Sequence, residues 1–244
     1  MGAQTETLQK RNKELLRTVS DGRNTIILKR KQNHSGRWFT ALVKRTIDIL
    51  FSAIGIVVVM PFLIPVVYFL LKFSSAGPLF FVQERIGKDG RVFRCFKFRT
   101  MHVNEDADIR QCSEEDERIF RIGKFMRATH MDELPQLLNV LLGEMSLVGP
   151  RPHMVYHDEL FSSMLPEYAL RQCVRPGLTG LAQVRGCHGP TPDIDSIRKR
   201  TRFDLHYVRN MSPRLDMLIF VKTLAQVVAN RQPSVNGEQS AFAG

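Results

Sequence analysis

The sequence predicts a mixed α/β, helix-rich chain. It reads as a small domain containing a β-hairpin, held to a membrane by a re-entrant helix-break-helix segment and by amphipathic helices at the interface. Three observations carry this expectation. One uncharged run, Ile49 to Leu71, holds two prolines near its centre; two β-prone runs meet at Gly87-Lys88-Asp89-Gly90; and several later stretches repeat apolar residues at helical spacing.

As a straight helix the uncharged run would reach roughly 34 Å, enough for a hydrocarbon core of about 30 Å. Pro61 and Pro65 argue against a simple span, because each lacks an N–H and crowds the carbonyl four residues back. A bend leaves two halves of roughly 17 Å, which takes the chain to mid-bilayer and back. Lys44 and Arg45 before the run and Lys72, Arg85 and Lys88 after it favour the cytoplasm for both ends. A kinked spanning helix is the alternative, since membrane neighbours can satisfy freed carbonyls. A soluble-core helix fits poorly because the run is too long.

The net charge of +11 is uneven: residues 1–47 hold 11 basic and 3 acidic side chains. A basic tail beside an apolar anchor suits anionic lipid on the cytoplasmic face. Nucleic acid is not an expected partner, because a nucleic-acid binder spreads its cations over the folded domain. Cys95, Cys112, Cys173 and Cys187 have no C-x-x-C spacing and read as reduced thiols. No early apolar core follows Met1, so the apolar run is expected to be retained. The expected divisions are a basic leader over 1–43, a membrane hairpin over 44–73, a cytosolic domain over 74–230 and a loose tail over 231–244.

The runs Leu79 to Ile86 and Arg91 to Met101 form the hairpin, with Lys97 and Arg99 on one face of the second strand. Residues 104–117 are acidic and expected to face water. Arg118, Arg121, Lys124 and Arg127 recur three apart among apolar residues, a basic amphipathic helix suited to a membrane interface or to a domain surface. Asp132-Glu133-Leu134-Pro135 then opens a helix whose leucines recur at i, i+3, i+4, i+7 and i+8 before Gly143. Taken alone, Asp132 reads as an N-cap and Glu133 as a complement to the helix dipole, which favours the ionised form of both. Gly149-Pro150-Arg151-Pro152 and the turn from Arg175 to Gly180 are rigid and carry one arginine each. Two helices close the domain, Ile194 to Tyr207 and Pro213 to Val228, the second capped by Ser212.

The segments KFRTM (97–101), DELPQLLNVLLGEMSLVGPRP (132–152), RPGLTGLAQV (175–184) and DLHYVRNMSPRLD (204–216) occur together in one family. Over about residues 40–230 the chain resembles the bacterial monotopic polyprenyl-phosphate phosphoglycosyltransferases, which serve surface-polysaccharide synthesis. The resemblance implies transfer of a sugar 1-phosphate from a UDP-sugar to undecaprenyl phosphate, with release of UMP, at the cytoplasmic face of the bacterial inner membrane. It implies Asp132 as the nucleophile, forming a covalent phosphosugar-aspartate, and Glu133 as a ligand of Mg2+. Lys97, Arg127, Arg151 and Arg175 are implied to bind substrate phosphate, and Asp216 is implied as a further polar active-site position. Pro61 stands where the family's membrane helix breaks; Pro65 is extra.

The expected partners are the UDP-sugar, undecaprenyl phosphate, inner-membrane lipid and downstream glycosyltransferases. One departure concerns the segment after the A-Q-V strand, where His188, with Arg185 nearby, stands in place of the usual arginine. The chain is expected to be the catalytic core with a basic leader. An ordinary glycosyltransferase would release UDP instead, but the D-x-D spelling Asp106-Ala107-Asp108 lies in the acidic stretch. A non-catalytic membrane scaffold is the alternative from another class, and the intact Asp132-Glu133 pair argues against it.

Overall fold

The computed structural model describes residues 34–104, 109–113, 116–187, 189–191 and 193–229. The leader to residue 33, Asp106 to Asp108, His188 and the tail from 231 lie outside them. Helix α1, His34–Ile54, starts inside the expected leader and passes through a π-helical turn, Gly55–Val59, into α2, Met60–Ser74. At the expected break the backbone stays helical: Ile54, Val59 and Met60 all have right-handed helical angles. The Met60 N–H donates to the Gly55 carbonyl, five residues back. The chain therefore meets Pro61 with a one-residue shift of hydrogen-bond register, and Pro61 sits in the first turn of α2, where a missing N–H costs least. The helix over Trp38–Ser74 is long and apolar enough to cross a membrane by length and composition. One side of it is seated on the domain, burying Asp48, Ser52, Met60, Val67 and Leu71, while Phe51, Val57, Phe62, Phe69 and Phe73 stay exposed.

The hairpin forms as its sequence predicts. Strands β1, Phe80–Ile86, and β2, Val92–Phe98, pair antiparallel from Phe80 opposite Phe98 to Ile86 opposite Val92. Asp89 and Gly90 take positive φ in the turn. Helix α3 covers Arg121–Ala128 and is shorter than the basic repeat suggested. Ahead of it Ile119 bridges to Met101, and the Arg118 fork holds both oxygens of buried Asp116 at 2.9 and 2.6 Å. That part of the acidic stretch turns inward because an arginine neutralises it.

A 3-10 turn, Met131–Gln136, leads into α4, Leu137–Leu142. There follow β3, Ser146–Val148; α5, Val155–Met164; a second 3-10 segment, Pro166–Cys173; β4, Gly177–Thr179; and α6, Leu181–Val184. The two predicted closing helices are α7, Ile194–Asn210, capped by Asp193, and α8, Pro213–Val228, capped by Ser212. β3 and β4 pair in parallel.

Among the described residues, the apolar helix belongs to two of three hydrophobic cores. Ile47 and Ile56 pack on the core of Leu137, Val140, Leu147 and Ile219, and Met60, Val67 and Leu71 build another with Phe98, Phe120 and Met126. A third core, of Phe161, Leu165, Tyr168 and Ile197, lies under α7.

Candidate active site

β2 packs against the 3-10 turn that carries Asp132 and Glu133. Cross-strand partners share a face, so Phe81 with Lys97, Gln83 with Cys95 and Arg85 with Phe93 look the same way. A cavity of about 240 Å3 opens there, lined by Arg85, Lys97, Arg99, Arg110, Arg118, Arg127 and Asp132 among others. Two close contacts shape its walls. A Cβ at Gly123 would lie 2.1 Å from the Thr100 carbonyl, so only glycine lets α3 lie this close to the end of β2. Arg127, one turn on, then reaches Thr100 Oγ1 at 2.8 Å and Cys112 Sγ at 2.7 Å. Arg99 is turned to the end of α2, donating to the carbonyls of Pro78 and Ser75 at 2.7 Å each.

The two carboxylates are treated differently. Asp132 does not cap the helix: His130, at φ 56°, holds the cap position, and Asp132 lies inside the first turn. It is 5% exposed, and its carboxylate accepts no hydrogen bond from any described residue. Glu133 is held at both oxygens. Lys97 Nζ donates to Oε1 at 2.6 Å, and the Arg151 fork donates to Oε1 at 2.5 Å and to Oε2 at 3.1 Å.

Burial pushes the Asp132 pKa up, the charge on Glu133 adds to this, and Lys97, Arg127 and Arg151 oppose it. The helix-dipole expectation is therefore corrected for Asp132, because desolvation and a like charge outweigh a dipole on so short a turn. Burial also raises Glu133, but Arg151 and Lys97 together overcome it and hold that carboxyl well below its usual range.

Among the described residues no group of three or more His, Cys, Asp or Glu could cage a metal. The donors at hand are the free carboxylate of Asp132 and the second lone pair of Glu133 Oε2. That set suits Mg2+, which takes one or two carboxylates and completes its shell with water and substrate phosphate.

Arg151 is held in place from behind. Its carbonyl accepts from Arg171 Nη2 at 2.8 Å, and Arg171 Nε is paired with Asp204 at 2.7 Å. His153 contacts Tyr168 OH through Nδ1 and Arg200 through Nε2, and Arg200 also holds the carbonyls of Cys187 and Gly189. Burial, then Arg171 and Arg200, keeps His153 well below its usual pKa and so neutral.

Lys97, Arg127, Asp132, Glu133 and Arg151 thus come together, whereas Arg175 and Asp216 lie elsewhere. Arg175 is exposed and donates from Nε to the Gly143 carbonyl at 2.8 Å. The turns from Glu133 to Gly143 rise roughly 15 to 20 Å, beyond the reach of a diphosphate at Asp132. Asp216 lies against the middle of α1. It is bound by Lys44 at 2.8 Å and Tyr207 OH at 2.7 Å, and Lys44 donates to the Val148 carbonyl at 2.8 Å. Beside it Asp48 accepts from the Leu147 N–H at 2.9 Å and from Ser146 Oγ at 3.1 Å. Both are tertiary placements that spacing along the chain does not encode. Sequence reasoning missed Arg85, Arg110 and Cys112 as lining residues. The period of two in β1 could have found Arg85, but nothing in the sequence points to the other two.

The site thus sets a buried carboxylate, unpaired among the described residues, within a ring of guanidinium groups, in a domain that also seats a long apolar helix. Comparison with known proteins shows the family. The chain belongs to the bacterial sugar transferase family, whose model matches residues 39–230. It is 44% identical over 188 residues to the UDP-glucose:undecaprenyl-phosphate glucose-1-phosphate transferase of Caulobacter vibrioides, covering 77% of this chain and 70% of that protein. It is also 44% identical over 188 residues to the exopolysaccharide production protein PSS of Rhizobium leguminosarum, covering 75% and 94%. Against the Klebsiella pneumoniae protein, which carries the same name as the Caulobacter one, it is 42% identical over 189 residues and spans 40% of that relative's length.

Proposed function

We propose that the protein transfers a sugar 1-phosphate from a UDP-sugar to undecaprenyl phosphate in the first step of surface-polysaccharide synthesis. The observation that carries this reading is the contrast within the acidic pair: Asp132 buried, unpaired and facing the cavity, Glu133 pinned beside it. An ionised carboxylate held among cations can attack phosphorus without repelling the diphosphate oxygens. An Asp132 oxygen bonds to the sugar-bearing phosphorus, the bond to the bridging oxygen breaks, and UMP leaves with the electron pair. A phosphate oxygen of undecaprenyl phosphate then attacks the same phosphorus, the acyl-phosphate bond breaks, and Asp132 is free again.

Lys97 and Arg127 offer donors to the equatorial oxygens, and Arg151 can pass part of its fork from Glu133 to substrate. Mg2+, held by Glu133 with Asp132 near, would supply charge neutralisation on the diphosphate.

The membrane reading rests on how the apolar helix is seated. Both α1 and α2 pack on one domain while their outer faces stay apolar and exposed. A perpendicular crossing would carry one half out of contact with that domain, so the helix is read as bending at the π-helical turn ahead of Pro61, to enter and leave the cytoplasmic leaflet of the inner membrane. Labelling of single cysteines placed at residues 40 and 75 is expected to find both in the cytoplasm; opposite sides would overturn it.

The reaction is tested by incubating the protein with a panel of UDP-sugars without lipid acceptor. A sugar-phosphate mass increment on the peptide holding Asp132, with one UMP released per chain, is expected. An increment elsewhere, or UDP as product, would reject the mechanism.

A further inference from the structure

We infer that Arg45 and Arg175 form a second phosphate site, at the C-terminal end of α4, that takes a lipid-borne phosphate. This rests on the membrane reading above. The two arginines stand far apart in the sequence and meet around Gly143. Arg45 donates to the carbonyls of Val140 at 2.6 Å and Leu141 at 2.9 Å, and Arg175 Nε donates to the Gly143 carbonyl. A Cβ at Gly143, which sits at φ +87°, would lie 3.3 Å from Arg45 Nη2, so this position brings both guanidinium groups together.

Neither arginine has a carboxylate within 4 Å among the described residues, and the adjacent Glu144 accepts from Asn139 at 2.6 Å. Both terminal nitrogens of Arg175 are left without a partner there. Two neighbouring cations, Arg175 with its terminal fork unused and Arg45 with N–H groups left over beyond its two carbonyls, match a phosphate, which would bridge them and remove their mutual repulsion.

The surroundings say what the phosphate carries. Trp38, Leu42, Arg45 and Ile49 recur at i, i+4, i+7 and i+11, so they share one face of α1. Trp38 is 71% exposed, Leu42 49% and Ile49 39%, and Leu142, across the site on α4, is 68% exposed. A cation set in an exposed apolar stripe that begins with tryptophan has the make-up of a membrane–water boundary. A soluble phosphate would gain nothing from this rim, whereas a lipid phosphate with its chains would cover it.

The ligand chemistry has two sources, an anionic glycerophospholipid or a polyprenyl phosphate. The test uses the full chain in neutral detergent, with phosphatidylglycerol or undecaprenyl phosphate added in separate arms, and counts bound lipid by native mass spectrometry. Arg175→Gln is expected to lower occupancy about tenfold in at least one arm, and that arm names the source. Arg175→Lys, which keeps the charge and guards against misfolding, is expected to fall between. The control Lys29→Gln/Arg30→Gln/Lys31→Gln removes more charge and is expected to leave occupancy in place. Unchanged occupancy in Arg175→Gln, or an equal loss in the control, overturns the site. Vesicle flotation of the same protein keeps the two readings apart: flotation without retained lipid sinks the site alone, and retained lipid without flotation sinks the membrane reading.

Discussion

Two acid–arginine clusters are joined through the Arg151 carbonyl in this molecule, and they put the same groups to opposite uses. In the interior, Asp204 and Arg171 are both almost fully buried and paired with each other, and Arg171 spends its remaining donors on the Arg151 carbonyl and on His153. At the cavity, Glu133 is paired just as closely, yet Asp132 beside it has no hydrogen bond among the described residues and lines the cavity. A buried carboxylate without a partner is costly, so its retention calls for a use, whereas a paired one needs only a structural reason. On the proposed mechanism, the difference separates the residue that would react from the residues that hold.

Asp132→Asn breaks the cavity side of this comparison and carries the largest expected effect. Turnover and adduct formation should fall by about 10^4-fold, as for loss of a nucleophile. The thermal midpoint should hold or rise, because a buried charge is removed; a large loss of stability with retained turnover would return Asp132 to a structural role. Breaking the interior side should do the reverse. Arg171→Ala leaves Asp204 buried and unpaired and is expected to cost about 3–5 kcal/mol in chemical denaturation. The double variant Arg171→Met/Asp204→Leu should recover much of that stability, and no recovery would mean the pair is not the source of the loss.

Lys97→Ala should lower turnover by about 10^2-fold and leave stability nearly unchanged, since Arg151 still holds Glu133. Equal losses of turnover and stability would place Lys97 among the holding residues instead.

The smallest effect depends on pH. Burial raises the Asp158 pKa to about 6. A carboxyl whose folded pKa lies above its unfolded value favours the fold while protonated, so its contribution is complete below about pH 4 and is lost as pH rises through 6. Asp158→Asn keeps an acceptor for Gln172, whose Nε2 donates at 2.7 Å, and is expected to raise stability at pH 8 by about 1–2 kcal/mol. At pH 4 the two proteins should melt together. A gain of equal size at both values would rule out titration of Asp158 as its cause.

Much of the fold was legible because its signals are local. Alternation and a glycine turn announce the hairpin, and the Ser212 cap announces α8. The Asp132-Glu133 pair, Lys97, Arg127 and Arg151 could be named from motifs, and they do meet. What the sequence hid depends on direction in space. Arg175 and Asp216 stand in motif segments as the site arginines do, yet their side chains are drawn to Gly143 and to Lys44 by contacts with elements remote in the chain. The register shift before Pro61 was hidden too, because a proline marks a fault in a helix without saying whether the chain will bend, break or add a residue to the turn.

The Lys44 clamp has a consequence for anyone who would recombine this protein. Lys44 and Asp48 fasten the apolar helix to β3, and β3 runs through Gly149 and Pro150 straight to Arg151. The apolar helix is therefore not a cassette. A version cut at residue 75 for easier handling would lose the backing of two cores. A graft of a foreign anchor would have to bring a lysine and an aspartate in register, or the arginine that grips Glu133 would be set on an unmoored strand.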